Sequence, residues 1–165
     1  MEFFDLLWAY ALVFIFAAVP FFEGYAVIPL GIIAGLSPIP VIILGLIGNI
    51  LTVLLVIMFV NKIKEWRNKR KGEKNSDDTN KRSIRAKKIW KKYGLPGLAF
   101  IGPLIVGSHL TAFMSVSFGG SKKSTSYWMI VSIVVWCTAF TVLAYLGIDF
   151  LNLNERNLFD NIGKQ

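Results

Sequence analysis

Residues 23–37 read Glu23-Gly24-Tyr25-Ala26-Val27-Ile28-Pro29-Leu30-Gly31-Ile32-Ile33-Ala34-Gly35-Leu36-Ser37. After Glu23 the run is apolar, but it falls short of the ~20 helical residues needed to cross ~30 Å of hydrocarbon. Pro29, Gly31 and Gly35 interrupt it. Apolar pieces of ~10–14 residues suit re-entrant or interfacial segments, so a bent hairpin is expected at 23–37. Such a hairpin must be shielded by protein or line a wet cavity, because lipid cannot satisfy the backbone groups freed at its breaks. An apolar loop resting at the interface is the alternative.

On either side lie longer apolar runs. Phe3 to Val19 predicts a first crossing helix that ends near Pro20. Pro38 to Val60 predicts a second, with Pro38 and Pro40 suited to its first turn. From Phe3 to Val60 the only acidic or basic side chains are Asp5 and Glu23, and from Tyr93 to Phe150 they are His109, Lys122, Lys123 and Asp149. With hydrophobic residues at 55% of the chain, two blocks of this kind describe an all-α integral membrane protein rather than one soluble core. The acidic opening Met1-Glu2-Phe3-Phe4-Asp5 is unlike a basic signal peptide, and the first helix is expected to be retained.

Between the blocks, residues 62–92 carry fourteen Lys/Arg against Glu65, Glu73, Asp77 and Asp78, a local balance of +10. The positive-inside rule is expected to keep residues 61–92 on the cytoplasmic side of the membrane. Asn68 to Asn80 reads as a flexible polar linker. From Lys81 to Tyr93, Ala86, Ile89, Trp90 and Tyr93 recur at helical spacing among basic residues, as in an amphipathic helix lying on a membrane surface. A nucleic-acid partner is not expected, because no folded module surrounds this basic run.

The second block, 93–150, opens with a segment as interrupted as the first. Gly102, Pro103 and Gly107 break residues 94–118, and Tyr127 to Leu146 makes a clean final span before a short tail at 151–165. The expected organisation is a membrane half at 1–60, the basic linker and surface helix at 61–92, a second membrane half at 93–150 and the tail. Pairing Pro29-Leu30 and Gly35-Leu36-Ser37 with Pro103-Leu104 and Gly107-Ser108 suggests an inverted repeat, the sequence-level pointer to a transporter site. Three full transmembrane helices plus two opposed re-entrant hairpins follow, with the N-terminus inside and the C-terminus outside. Reading 95–118 as an ordinary span instead gives four transmembrane helices with both termini inside.

Phe22-Glu23 through Pro29-Leu30 and Gly35, followed by Tyr93-Gly94, Gly102-Pro103-Leu104 and Gly107-Ser108-His109-Leu110, resembles the small multidrug export protein family of bacteria and archaea. That family is itself similar to the DedA group of membrane proteins. The resemblance implies paired re-entrant hairpins and translocation of phospholipid or lipid-linked phosphate. The DedA pattern has a second acid in the first hairpin and arginines around the proline of the second. This chain has Gly31-Ile32 and Leu104-Ile105-Val106 there, so only Glu23 carries over.

Glu23, Ser108 and His109 are the candidates for a substrate or proton pathway. An intramembrane carboxylate costs ~2.5–3.5 kcal/mol at the bilayer centre, which makes Glu23 a functional candidate by default. His109 is the only histidine, and an imidazole can change charge near neutral pH. Ser108 and Thr111 can satisfy backbone groups at the breaks, and Asn49 can bond across helices. Lys91, Lys92, Lys122 and Lys123 would gather at the cytoplasmic mouth of a second hairpin, attracting an anionic head group at ~1 kcal/mol each. Cys137 is alone and no Cys/His cluster exists, so no metal and no cofactor are expected. Nor is there a catalytic constellation, so the chain is not expected to be an enzyme.

The leading expectation is a small transporter or lipid translocase moving a phospholipid, lipid-linked phosphate or amphiphilic substrate, coupled to protons or another cation. Membrane lipids and further copies of the chain are its expected partners. A proton-coupled small multidrug exporter is the second reading, and a non-transporting membrane scaffold the third.

Overall fold

A computed structural model describes residues 3–20, 22–71 and 81–150. The linker expected at 68–80 lies largely outside these residues, as does the tail at 151–165. The described chain is all helical: α1 (Phe3–Ala18), α2 (Gly24–Ile33), α3 (Pro38–Lys71), α4 (Lys81–Val106), α5 (Ser108–Ser117) and α6 (Lys122–Phe150). Among the described residues two helical stretches are long and apolar enough to cross a membrane, Pro38–Ile63 and Lys122–Gly147. Most of each such window is turned outward, as expected where lipid replaces water around apolar side chains.

The first expected helix has close to its expected length, Phe3–Ala18, but it forms one arm of a hairpin. Its Tyr10 hydroxyl accepts the backbone N–H of Ser37 at 3.2 Å, beside the start of α3. Farther along, Phe14 and Ala17 lie against Gly48, whose missing side chain lets the Phe14 carbonyl come within 2.6 Å of where a Cβ would stand. Thus α1 runs parallel to α3 and stops about halfway along it. After α1, α2 returns antiparallel to α3, with Gly24 against Asn49, Ile28 against Gly45 and Gly31 against Val41. Small residues at such crossings allow the close approach on which helix packing in lipid depends. Both ends of the α1–α2 hairpin therefore lie at the Pro38 end of α3. This puts Phe3 at the end opposite the basic segment, where the sequence had suggested the same side.

The second hairpin points the other way. Gly94, at φ 65°, kinks α4 into a basic arm and an apolar arm. The apolar arm descends to Val106, the chain reverses at Gly107, and α5 climbs back. Ser108 and His109 bond α3 near Asn49 and Thr52, whereas Lys122, just past α5, donates to the Met58 carbonyl at 2.8 Å. The α4–α5 hairpin thus has both ends at the basic end of α3. The two hairpins meet tip to tip beside the middle of α3, with α6 packed along both.

Of the expected breaks, Gly107 is a true one, at φ 97°, and Gly35 at φ 85° closes α2. Pro29 and Gly31 are instead interior to α2, and Gly102 and Pro103 interior to α4. A helical proline forfeits one N–H bond without ending the helix when its neighbours hold it in place. The correspondence between the halves also differs from the Pro29/Pro103 pairing. The ten-residue helices α2 and α5 are related by a constant offset of 84 positions, from Glu23 to Gly107 and from Gly35 to Gly119. Their C-terminal turns repeat the same hydrogen bond, Leu36 N–H to Gly31 O and Gly120 N–H to Ser115 O, closed each time by a positive-φ glycine.

The main core is one apolar cluster that runs along the bundle, from Val13, Ile28 and Val41 to Ile57, Ala112 and Met129. A second, smaller cluster joins Ala86, Leu98 and Met114 with Ile89, Trp90, Leu110, Phe113 and Phe118. Through it the basic arm of α4 docks on the second hairpin, with Trp90 and Phe118 ring centres 5.9 Å apart. Trp90, expected at a membrane surface, packs inward, while Ile84 and Tyr93 remain exposed.

Candidate functional site

The hairpin tips bring together the residues singled out as a pathway. Glu23 stands at the N-cap of α2 with a backbone φ of 36°, the one positive value at a non-glycine residue among those described. Such backbone strain clusters at functional sites and persists only where surroundings hold it. The Glu23 side chain reaches across to the other hairpin, where Oε1 accepts the Ser108 N–H at 2.6 Å. Ser108 is the first residue of α5, so the carboxylate of one half-helix caps the positive end of the other. Glu23 is 3% exposed and its Oε2 has no hydrogen-bond partner among the described residues.

The rest of the cluster hangs on α3. The Ser108 hydroxyl donates to Asn49 Oδ1 at 3.2 Å and lies 3.3 Å from His109 Nδ1. His109 Nε2 is 2.9 Å from Thr52 Oγ1. The single Thr52 proton is committed to a backbone carbonyl, Gly48 at 2.9 Å or Asn49 at 3.1 Å. The other ring nitrogen of His109, Nδ1, faces Glu23 Oε1 at 4.0 Å. Asn49 and Thr52 complete the site from the middle of α3. Sequence flagged Asn49 only for packing and did not flag Thr52, because neither belongs to a motif; their spacing of three, which puts both on one helix face, was the available signal.

Gly107 is required where it stands. Its φ of 97° is a conformation that side chains resist, and a Cβ there would lie 2.9 Å from Glu23 Oε1.

A cavity of about 310 Å³ opens beside the tips, lined by Glu23 and His109 with Val56, Val106, Leu110 and Phe113 as walls. Ile63 and Arg82 also line it, which sets its mouth toward the basic end. Arg82 comes from the basic arm of α4. Lys91, Lys92, Lys122 and Lys123 are exposed at that same end, but none of them lines the cavity. Among the described residues no group of His, Cys, Asp and Glu could hold a metal ion.

No curated protein and no solved structure matches the chain. A family model does match, over residues 23–139, from Glu23 through both hairpin tips and most of α6. It supports the expected kinship with the small multidrug exporters, and the further likeness to the DedA group stays an expectation. By a match over well more than half its length, the chain belongs to the membrane-protein family described as "Putative small multi-drug export protein".

Proposed function

We propose that this protein is a small membrane transporter, not an enzyme, that exports an amphiphilic cation in exchange for protons, with Glu23 as the shared site. One observation carries the reading: a buried carboxylate with one oxygen fixed and the other unpartnered lines an apolar cavity. Oε1 holds the hairpin tips together. Oε2 is the atom a cation meets, while the apolar body of the same molecule rests on Val56, Val106, Leu110 and Phe113. A buried charge must be neutralised, and either a proton or the cation does this, so the two exclude one another. His109, with Nδ1 4.0 Å from Glu23 Oε1, passes that proton on.

With the basic segment cytoplasmic, as its charge favours, the cavity opens inward and the core side chains Val13, Ile28, Ile32 and Val41 close the outer side. The two half-helices then re-enter the membrane from opposite faces as an inverted repeat, with their N-termini converging on the site. Release outward requires the tip contact between Glu23 and Ser108 to open. Two crossing helices and two hairpins enclose little volume, which favours a homo-oligomer.

The test is a pH-gradient-driven flux of tetraphenylphosphonium or a similar lipophilic cation in proteoliposomes. Wild-type protein moves the cation and Glu23→Gln does not; a Glu23→Gln variant that transports normally, or wild type that moves no such cation, sinks the proposal. A second reading, translocation of a phospholipid or lipid-linked phosphate, draws support from the tip-to-tip hairpins and the lysines gathered at one end. Movement of a fluorescent phospholipid between leaflets, lost in a Lys91/Lys92/Lys122/Lys123→Gln variant, would favour it over cation export.

A further inference from the structure

Helix α5 has two faces with different chemistry. His109, Leu110 and Phe113 face the cavity. On the opposite side of the helix, by its 100° step per residue, lie Ser108, Thr111 and Ser115. Thr111 and Ser115 are completely buried, as are Thr125 and Ser132 on one face of α6. None of these four hydroxyls has a hydrogen-bond partner among the described residues. Elsewhere in the bundle, Thr52, Thr138 and Thr141 discharge theirs into the carbonyl four residues back. The four unpartnered groups are therefore turned away from the usual helical acceptor.

Three of them follow one another in depth along the bundle. The Ser115 carbonyl and Thr125 Oγ1 converge on Gly120, within 2.8 and 3.0 Å of where its Cβ would stand, in the loop between α5 and α6. Thr111 lies one turn deeper, its hydroxyl 2.5 Å from the Cβ position of Gly102. One turn deeper again is Ser108, whose hydroxyl touches His109 Nδ1. Ser132 lies roughly 10 Å below Thr125 on α6, the same depth that separates Ser108 from Ser115 on α5.

We infer that this seam is a water-lined proton path behind α5, separate from the substrate cavity and running from the Gly120 loop to His109 and Glu23. Hydroxyls that lack protein partners can each bond water as donor and acceptor. A proton entering at the Gly120 loop is passed from water to water, each molecule gaining one and giving one, and ends on His109 Nδ1 beside the Glu23 carboxylate. Substrate and proton thereby reach one site by opposite faces of one helix. The inference rests on the proton-coupled reading but has an independent readout.

Two measurements test it on the full-length protein in lipid bilayers. In water-edited solid-state NMR, Thr111, Ser115 and Thr125 receive magnetisation from water, whereas Ile133 and the internally bonded Thr141 do not. In proteoliposomes, a triple variant Thr111→Val, Ser115→Ala, Thr125→Val takes up protons more slowly by roughly tenfold, the factor that loss of a hydrogen-bond partner typically carries. Its affinity for a lipophilic cation is unchanged, and restoring a hydroxyl with Ser115→Thr recovers part of the rate. A purely structural role predicts unchanged proton uptake, since removing an unsatisfied buried hydroxyl is neutral or stabilising. Dry residues in the NMR experiment, or wild-type proton uptake by the triple variant, overturn the inference. Wet residues in a protein that couples no substrate to protons support the seam while sinking the proposed export.

Discussion

The Glu23 carboxylate accepts the backbone N–H of Ser108 at 2.6 Å, joining two hairpins whose tips lie 85 residues apart in the chain. This bond separates the structural duty of Glu23 from its chemical one. A glutamine keeps a carbonyl oxygen for the Ser108 N–H, whereas an alanine leaves that buried donor unsatisfied. Glu23→Ala is expected to destabilise the fold by about 1–3 kcal/mol, and Glu23→Gln by clearly less. Thermal unfolding of the detergent-purified variants checks this. Equal losses for both would mean that Oε1 does not hold the tips together.

Gly107 and Gly35 both adopt positive φ, but they face different surroundings. An alanine Cβ at 107 meets Glu23 Oε1 at 2.9 Å, while at 35 it meets nothing within 4 Å. Gly35→Ala should therefore cost only the backbone strain, about 1–3 kcal/mol. Gly107→Ala adds displacement of the Glu23 carboxylate, so it should also abolish cation transport in protein that still folds. Unfolding midpoints and flux, measured side by side on the two variants, separate the effects.

Much of this arrangement was legible in the sequence. Clean runs such as 38–60 and 127–146 mark their helices because apolar length alone decides them, and the fourteen basic residues of 62–92 mark the end at which the cavity opens. Glu23, Ser108 and His109 stood out because polar groups are costly among apolar neighbours, and the fold does bring them together. The hairpin register was not legible. Pro29, Gly31, Gly102 and Pro103 sit inside helices; the reversals fall at Gly107, whose positive φ suits a glycine, and at Glu23, whose residue type gives no sign of one. The direction of α1 was hidden for a related reason. A sixteen-residue helix that is apolar apart from Asp5 is equally compatible with a short crossing or a hairpin arm, and only contacts such as Tyr10 with Ser37 decide between them.

The basic arm of α4 depends on one aromatic contact for its position. Trp90 packs on Phe118 with Ala86 and Ile89 beside it, and this arm also carries Arg82 to the cavity. Trp90→Ala should cost about 3 kcal/mol or more if the whole contact is lost, and should loosen the arm before the bundle melts. Hydrogen exchange resolved by mass spectrometry is expected to show faster exchange at 81–93 with α3 and α6 unchanged. Uniform acceleration across the chain would mean that the arm is not a separate unit.

The geometry also fixes which ends of the chain share a side. α3 and α6 run in opposite directions between the two ends of the bundle, with Lys122 bonded to Met58 near the C-terminal part of the α3 crossing. The α1 hairpin begins and ends beside Pro38. Phe3 and Phe150 should therefore lie on one side of the membrane, and residues 62–92 on the other. The check uses single cysteines at Asp5 and at Lys62, with a reporter fused after Gln165, in a Cys137→Ser background. Impermeant thiol reagent added outside intact cells should label Asp5→Cys and not Lys62→Cys, and the reporter should read as external. If Asp5→Cys and Lys62→Cys are protected alike, α1 crosses the membrane as a span of its own. Glu23 would then lie near the surface, and the case for a buried coupling carboxylate would fail with it.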